Sequence, residues 1–139
     1  MSDQLVADWT AMWNGKVELA EQLVTPGFAF HVGANLGVPA QDRHFATPAD
    51  LAEFITQFRT QYTELEYAVV LGPVSDGRLS AFRWEARGGY GGNIERATAP
   101  VGTPFREFGV DMLVLDGDRI AEGYTLVDRI GVLTQLGAL

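Results

Sequence analysis

At residue 65 the apolar residues of this chain change their spacing, and no other feature limits its fold as much. Upstream they recur at helical intervals, as in Leu5, Val6, Trp9, Met12 and Trp13, or in Leu51, Phe54, Ile55, Phe58 and Tyr62. Downstream they follow the period of strands, first in "LEYAVVLGPV" and "LSAFRWEAR" around the turn "SDGR", then in "EFGVDMLVLDGDRIAEGYTLVD" around a tight "DG" turn. A helix gathers every third or fourth residue on one side, whereas a strand sends alternate residues to opposite faces. The chain therefore reads as helices first and two antiparallel hairpins after.

The remaining signals fill in that order. Ser2 and Asp3 can cap the first helix, Asn14-Gly15 breaks it, and a second helical piece from Lys16 to Val24 stops at "TPG". "FAFHV" reads as a short strand. The aperiodic stretch from Gly33 to Ala46 reads as a long loop. "TPAD" at 47–50 is a strong helix start, with Thr47 as cap and Pro48 at the first helical position. Residues 88–104 read as a glycine-rich loop able to carry Tyr90 over a site, and "RIGVLTQLGAL" closes the chain with an amphipathic turn or two. The expected architecture is α+β: one domain over residues 1–139, with helices packed on one face of a strongly curved antiparallel sheet.

Composition narrows the functions. A chain of 139 residues can bury roughly two thirds of its unfolded surface in a single core. A net charge of −8 without a Lys/Arg cluster argues against nucleic acid as a partner. Two histidines, His31 and His44, and no cysteine argue against a tightly held metal, and "GGYGGN" lacks the Lys-Ser/Thr ending of a phosphate-binding loop. No run is long and apolar enough for a membrane. "MSDQLVADW" lacks the features of a secretion signal, so the expected location is the cytoplasm.

Asp111 stands in the middle of an apolar strand, where an unpaired charge costs several kcal/mol or more. With Asp116 opposite Arg119 across the turn, Asp111 falls opposite Tyr124 and shares a face with Glu107, Leu113, Glu122, Leu126 and Asp128. The other face carries Phe108, Val110, Met112, Val114, Ala121 and Val127 and suits a homodimer surface. Leucines mixed with a phenol and carboxylates describe an apolar pocket with a few polar groups, Asp111 at its base. There Asp111 can serve as neutral donor or general base, or pair with Arg83 or Arg106. His31 is a candidate base or a hydrogen-bonded strand residue, and Asp128 a candidate catalytic carboxylate or a helix cap. Arg83 and Glu85 share one face of their strand, Phe82 and Trp84 the other, and either face could line the pocket. Trp9 and Trp13 read first as core. Trp13, Phe30, Phe54, Phe58, Leu113 and Tyr90 are the candidate apolar contacts of a ligand, with Arg83 and Glu85 as its polar ones.

The element order and the tail carry a resemblance. "DGDRIAEGYTLVDRIGVLTQLG" is similar to the ending of SnoaL-like proteins of the nuclear transport factor 2-like superfamily, which includes polyketide cyclases, ketosteroid isomerases and limonene epoxide hydrolase; "FRWEARG" and "PVGTPF" resemble the preceding strand and loop. The resemblance implies a cone-shaped α+β barrel and a cofactor-free enzyme acting on a hydrophobic cyclic carbonyl or polyketide-like molecule by acid/base chemistry at an enolate. It places Asp111 where ketosteroid isomerases carry an oxyanion-binding Asp, and His31 near their general base, with Tyr124 as a hydrogen-bond donor. Gly123, Tyr124 and Thr125 stand where the polyketide cyclases show His-Trp-Asp. Two alternatives accompany it: epoxide hydrolysis through Arg83, Glu85 and Asp128, and a dimeric small-molecule-binding module without chemistry.

Overall fold

A computed structural model describes residues 2–36, 39 and 41–139. The elements run α1 (Ser2–Trp13), a 3-10 turn (Val17–Leu19), α2 (Ala20–Leu23), β1 (Val24–Ala34), β2 (Gln41–Phe45), α3 (Pro48–Arg59), β3 (Tyr62–Ser75), β4 (Leu79–Tyr90), β5 (Pro104–Asp116), β6 (Arg119–Val127) and α4 (Arg129–Gln135). The strands form one six-stranded sheet in the order β2-β1-β6-β5-β4-β3. All neighbours are antiparallel except β1 and β6, a parallel pair that brings the first strand of the chain against its last. No helix among the described residues is long and apolar enough to cross a membrane.

Local chemistry explains the elements that were expected. The Thr47 side chain accepts from the Asp50 N–H at 3.2 Å and Asp50 Oδ2 accepts from the Thr47 N–H at 3.3 Å, so a reciprocal cap fixes where α3 begins. Trp9, Met12 and Trp13 on α1 and Leu51 and Ile55 on α3 are buried against Phe28, Phe30, Phe82 and Trp84 of the sheet. That places both helices on the face where these strand residues point. The expected cap by Ser2 falls on a side chain outside the described residues.

Two expected loops are partly strand. Within Gly33–Ala46, β1 runs on to Ala34 and Gln41–Phe45 form β2, an edge strand whose Gln41, Asp42, Arg43 and His44 are all exposed; positions 37, 38 and 40 lie outside the described residues. A strand with one buried side chain leaves no alternation to detect. β4 likewise extends through Gly88 and Gly89 to Tyr90. Tyr90 is buried with Phe105, Val132 and Leu136, and its hydroxyl donates to the Ile94 carbonyl at 2.9 Å, so it ties down the following loop and does not cover a ligand.

The largest correction concerns the last hairpin. Asp116 does face Arg119 and Leu115 faces Ile120, but the register shifts there, and Val114 pairs with Glu122. A β-bulge at Ala121 inserts one residue, and in a strand a one-residue slip sends every later side chain to the other face. Asp111 therefore lies opposite Thr125, and Tyr124 lies opposite Met112. Tyr124, Leu126 and Glu122 join Val110 and Met112 on the outer face, whereas Gly123, Thr125 and Val127 turn inward.

Candidate active site

The helices do not fill the concave face of the sheet. They leave a cavity of about 440 Å³ between α1, α3 and the strands, within the usual range for a small-molecule site. Its walls are aromatic: Trp9, Trp13, Phe30, Phe54, Phe58 and Trp84. Trp13 sits at the centre of this group, with its ring 5.4 Å from Phe30 and 5.8 Å from Phe58. The expected contacts Trp13, Phe30, Phe54 and Phe58 are thus brought together. Leu113 is wholly buried in the core beneath the cavity and does not line it.

Asp111 lies at the base and is 7% exposed. Its partners are not the arginines considered from the sequence. Trp9 Nε1 donates to Oδ2 at 3.0 Å and Trp84 Nε1 donates to Oδ1 at 2.8 Å, so each oxygen is held by one indole. Thr125 lies directly across the ladder and lines the same part of the cavity. Burial raises the Asp111 pKa above the usual carboxylate value, against the lowering effect of the Thr125, Trp84 and Trp9 donors.

This arrangement depends on glycine. Gly109 pairs with Trp84, and a Cβ on it would stand 2.1 Å from the Trp84 ring, so only glycine lets the indole lie across β5 toward Asp111. The Tyr67 phenol also lines the cavity, its ring 5.2 Å from Trp84. Asn14, which the sequence offers only as a helix breaker, fixes that position. Its amide donates to the Tyr67 carbonyl at 3.0 Å and its carbonyl accepts from the Tyr67 N–H at 2.7 Å. Burial pushes the Tyr67 phenol well up, so it stays a donor at neutral pH.

At a second position on the cavity wall, Glu107 accepts from Arg129 Nη1 at 2.7 Å, and Tyr62 lines the cavity with them. Burial raises the Glu107 pKa, and the Arg129 charge opposes that rise. Glu107 carried a signal in the sequence, since it shares Asp111's face. Arg129 carried none, because it lies beyond the strand.

Five candidates lie elsewhere. His31 is within β1 and points outward: Nδ1 meets Asp42 Oδ1 at 2.6 Å, Nε2 meets Glu122 Oε1 at 3.2 Å, and the ring stacks on Tyr124 with centroids 4.4 Å apart. Neither His31 nor Tyr124 shares a pocket with Asp111. Asp128 caps α4 by accepting from the Gly131 N–H at 3.0 Å, and Asn35 donates to the same oxygen at 2.8 Å; these bonds, that from Asn35 foremost, lower its pKa. On β4 it is Phe82 and Trp84 that face the cavity. Arg83 lies over the Phe108 ring at 5.2 Å and Glu85 lies beside Arg106, both on the outer face, which removes the constellation required for epoxide hydrolysis.

The Asp42 hydrogen bond, joined by that of Glu122, raises the pKa of His31. A histidine whose folded value is raised contributes stability that is complete below about 6.5 and is lost as pH rises through the raised value. His31→Gln is therefore expected to flatten the melting temperature across that window while leaving ligand binding in the cavity unchanged. Thermal melts from pH 5 to 9 check both halves, and lost binding would return His31 to the site.

Neither a family model nor a curated protein sequence matches the chain. Solved structures do. IdmH from Streptomyces antibioticus, described as "a putative polyketide cyclase", is 24% identical, with 97% of each chain covered and a TM-score of 0.78. TsrD from Streptomyces laurentii is 20% identical, with 99% of this chain and 96% of that one covered at 0.74. A Catenulispora acidiphila protein with a ketosteroid isomerase-like fold is 15% identical, with 97% and 93% covered at 0.71. The chain shares the cone-shaped α+β fold of these proteins, the fold expected from the resemblance.

Proposed function

We propose that the chain belongs with the SnoaL-like proteins and is a cofactor-free enzyme that moves a proton at an enolisable carbonyl of a hydrophobic, cyclic small molecule, in an isomerase or cyclase type of reaction. One observation carries the reading: a buried carboxylate in an aromatic cavity, each oxygen oriented by an indole N–H. An ionised carboxylate has about four acceptor sites. The two indoles occupy two, and the remaining sites are left for Thr125 and for substrate.

With His31 outside the cavity, the base role falls to Asp111. Ionised Asp111 removes a proton from the carbon next to the carbonyl, and the electron pair of the broken C–H bond passes to the carbonyl oxygen. The Tyr67 phenol donates a hydrogen bond to that enolate oxygen. The Asp111 carboxyl then returns the proton to the same carbon or to a conjugated one; alternatively the enolate carbon closes a ring on a second carbonyl of the same molecule, whose oxygen takes up the π electron pair and the proton from Asp111. Burial suits Asp111 to this cycle, because a raised pKa makes a stronger base without a metal. Deuterium exchange into 2-tetralone, 1-indanone and related cyclic ketones, followed by NMR, tests the proposal. Binding is read from the quenching of Trp9, Trp13 and Trp84, which all line the cavity. Ketones that bind without faster exchange would favour the binding module over the enzyme.

The outer face supports a homodimer. Val110, Met112, Tyr124 and Leu126 are 42–67% exposed on adjacent strands. Glu85 Oε1, on the same face, has no hydrogen bond, since Arg106 Nε stands 3.2 Å away without alignment. Such a patch is normally covered. Met112→Glu with Leu126→Glu is expected to turn a dimer into a folded monomer in analytical ultracentrifugation; a wild-type monomer would sink the proposal.

A further inference from the structure

We infer that Arg129, Glu107 and Tyr62 form a second polar subsite, so that the cavity takes an elongated, uncharged ligand bearing an oxygen function at each end. Glu107 and Asp111 both point into the cavity from β5, four residues apart, which is roughly 13 Å of extended strand. Between them β5 itself offers only Gly109 under the Trp84 ring, a flat apolar stretch. A ligand reaching both ends is long and flat.

The ion pair is not required to dock α4. Gln135 already joins α4 to β5, accepting from the Arg106 N–H at 2.8 Å and donating to the Arg106 carbonyl at 2.7 Å, while Val132 and Leu136 are buried. A guanidinium has five N–H donors. One goes to Glu107, and the group lines the cavity beside Tyr62 with donors to spare. Beside them the Glu107 carboxylate offers acceptor sites. The charges of Arg129 and Glu107 cancel, and Asp111 and a net charge of −8 oppose an anion. A hydroxyl or an enolised carbonyl, which both donates and accepts, is the complement of such a pair.

The inference rests on the cavity being a ligand site and not on proton transfer by Asp111. Calorimetric titration with 2-hydroxyanthracene and 2,6-dihydroxyanthracene tests it, with phenol and hydroquinone as a pair too short to span. On the wild type the second hydroxyl is expected to strengthen binding of the longer phenol about tenfold and to leave the shorter pair alike. In Arg129→Met/Glu107→Met, which removes both charges together, the gain should vanish while the mono-hydroxyl compound binds as before. The subsite is refuted by no gain on the wild type, an equal gain for the short pair, or a gain that survives in the double variant. Should the monophenols bind and ketone exchange proceed without any gain, the subsite fails alone; should no phenol bind, it fails together with the functional reading.

Discussion

Asp111→Asn is expected to slow exchange of the α-protons of a bound cyclic ketone at least about a hundredfold, the lower end of what a general base contributes. The amide has no proton-accepting charge near neutrality. It keeps the shape of the carboxylate but offers one acceptor oxygen for two indole donors, so its own N–H₂ would face either Trp9, now at 3.0 Å, or Trp84, now at 2.8 Å. On stability two effects oppose each other. A buried charge disappears, which is favourable, and one indole N–H loses its partner, at about 1–3 kcal/mol. The rate is therefore expected to collapse while the melting temperature moves little. The pH profile supplies an independent check. Burial raises the Asp111 pKa, so the wild-type rate should fall as pH drops through a value above the ordinary 3.9 or so, and the variant's residual rate should show no such step. A variant that keeps its rate would leave Asp111 as a tie between two tryptophans.

The largest stability effect is expected at Arg129. Arg129→Met strands Glu107, whose side chain is 6% exposed, as an unpaired buried carboxylate, and breaking such a pair typically costs about 3 kcal/mol or more. For a chain of this size that is a fall in melting temperature on the order of 10 °C. Most of the loss belongs to the stranded charge and not to the pair. Arg129→Met/Glu107→Met is therefore expected to recover most of it. The pH dependence has a definite sign. Burial raises the Glu107 pKa, and removing Arg129 removes the charge that opposes the rise. Stability from such a carboxyl is complete below its unfolded value of about 4.3 and is lost as pH rises through the raised folded value. The single variant should approach wild type in acid and fall behind it toward neutrality. Denaturant titrations of all three chains at an acidic and a neutral pH measure this. Equal instability of the single and double variants would mean that the pair itself holds α4.

How much of this was legible depended on whether a side chain's role follows from its own strand. Asp111 was legible as a polar residue set among inward-facing apolar ones on β5, and alternation alone placed Glu107 and Leu113 on its side. The aromatic wall was legible too, because α1 and α3 present Trp13, Phe54 and Phe58 at helical spacing. Tyr124 was misplaced because a bulge at Ala121 leaves no mark in the composition of "RIAEGYTL", and one extra residue inverts the assignment of everything after it. β2 was missed because "QDRHF" buries a single side chain. The two indole donors were hidden for a further reason: Trp9 lies 102 residues from Asp111 and Trp84 lies 27 away, and nothing local ties a tryptophan's N–H to a distant carboxylate. Arg129 was read only as the residue after a cap.

The two margins of the sheet have a consequence for how copies of the chain can assemble. β2 ends it on one side with four exposed polar or charged residues in a row, and β3 ends it on the other with three breaks in register and Pro73 in its path. Neither margin templates a further strand, so the sheet cannot be lengthened by a neighbour. In the homodimer proposed through the broad outer face, each copy would occupy the other's contact surface. A pair of that kind would close on itself, so association would stop at two and leave no end from which a fibre could grow.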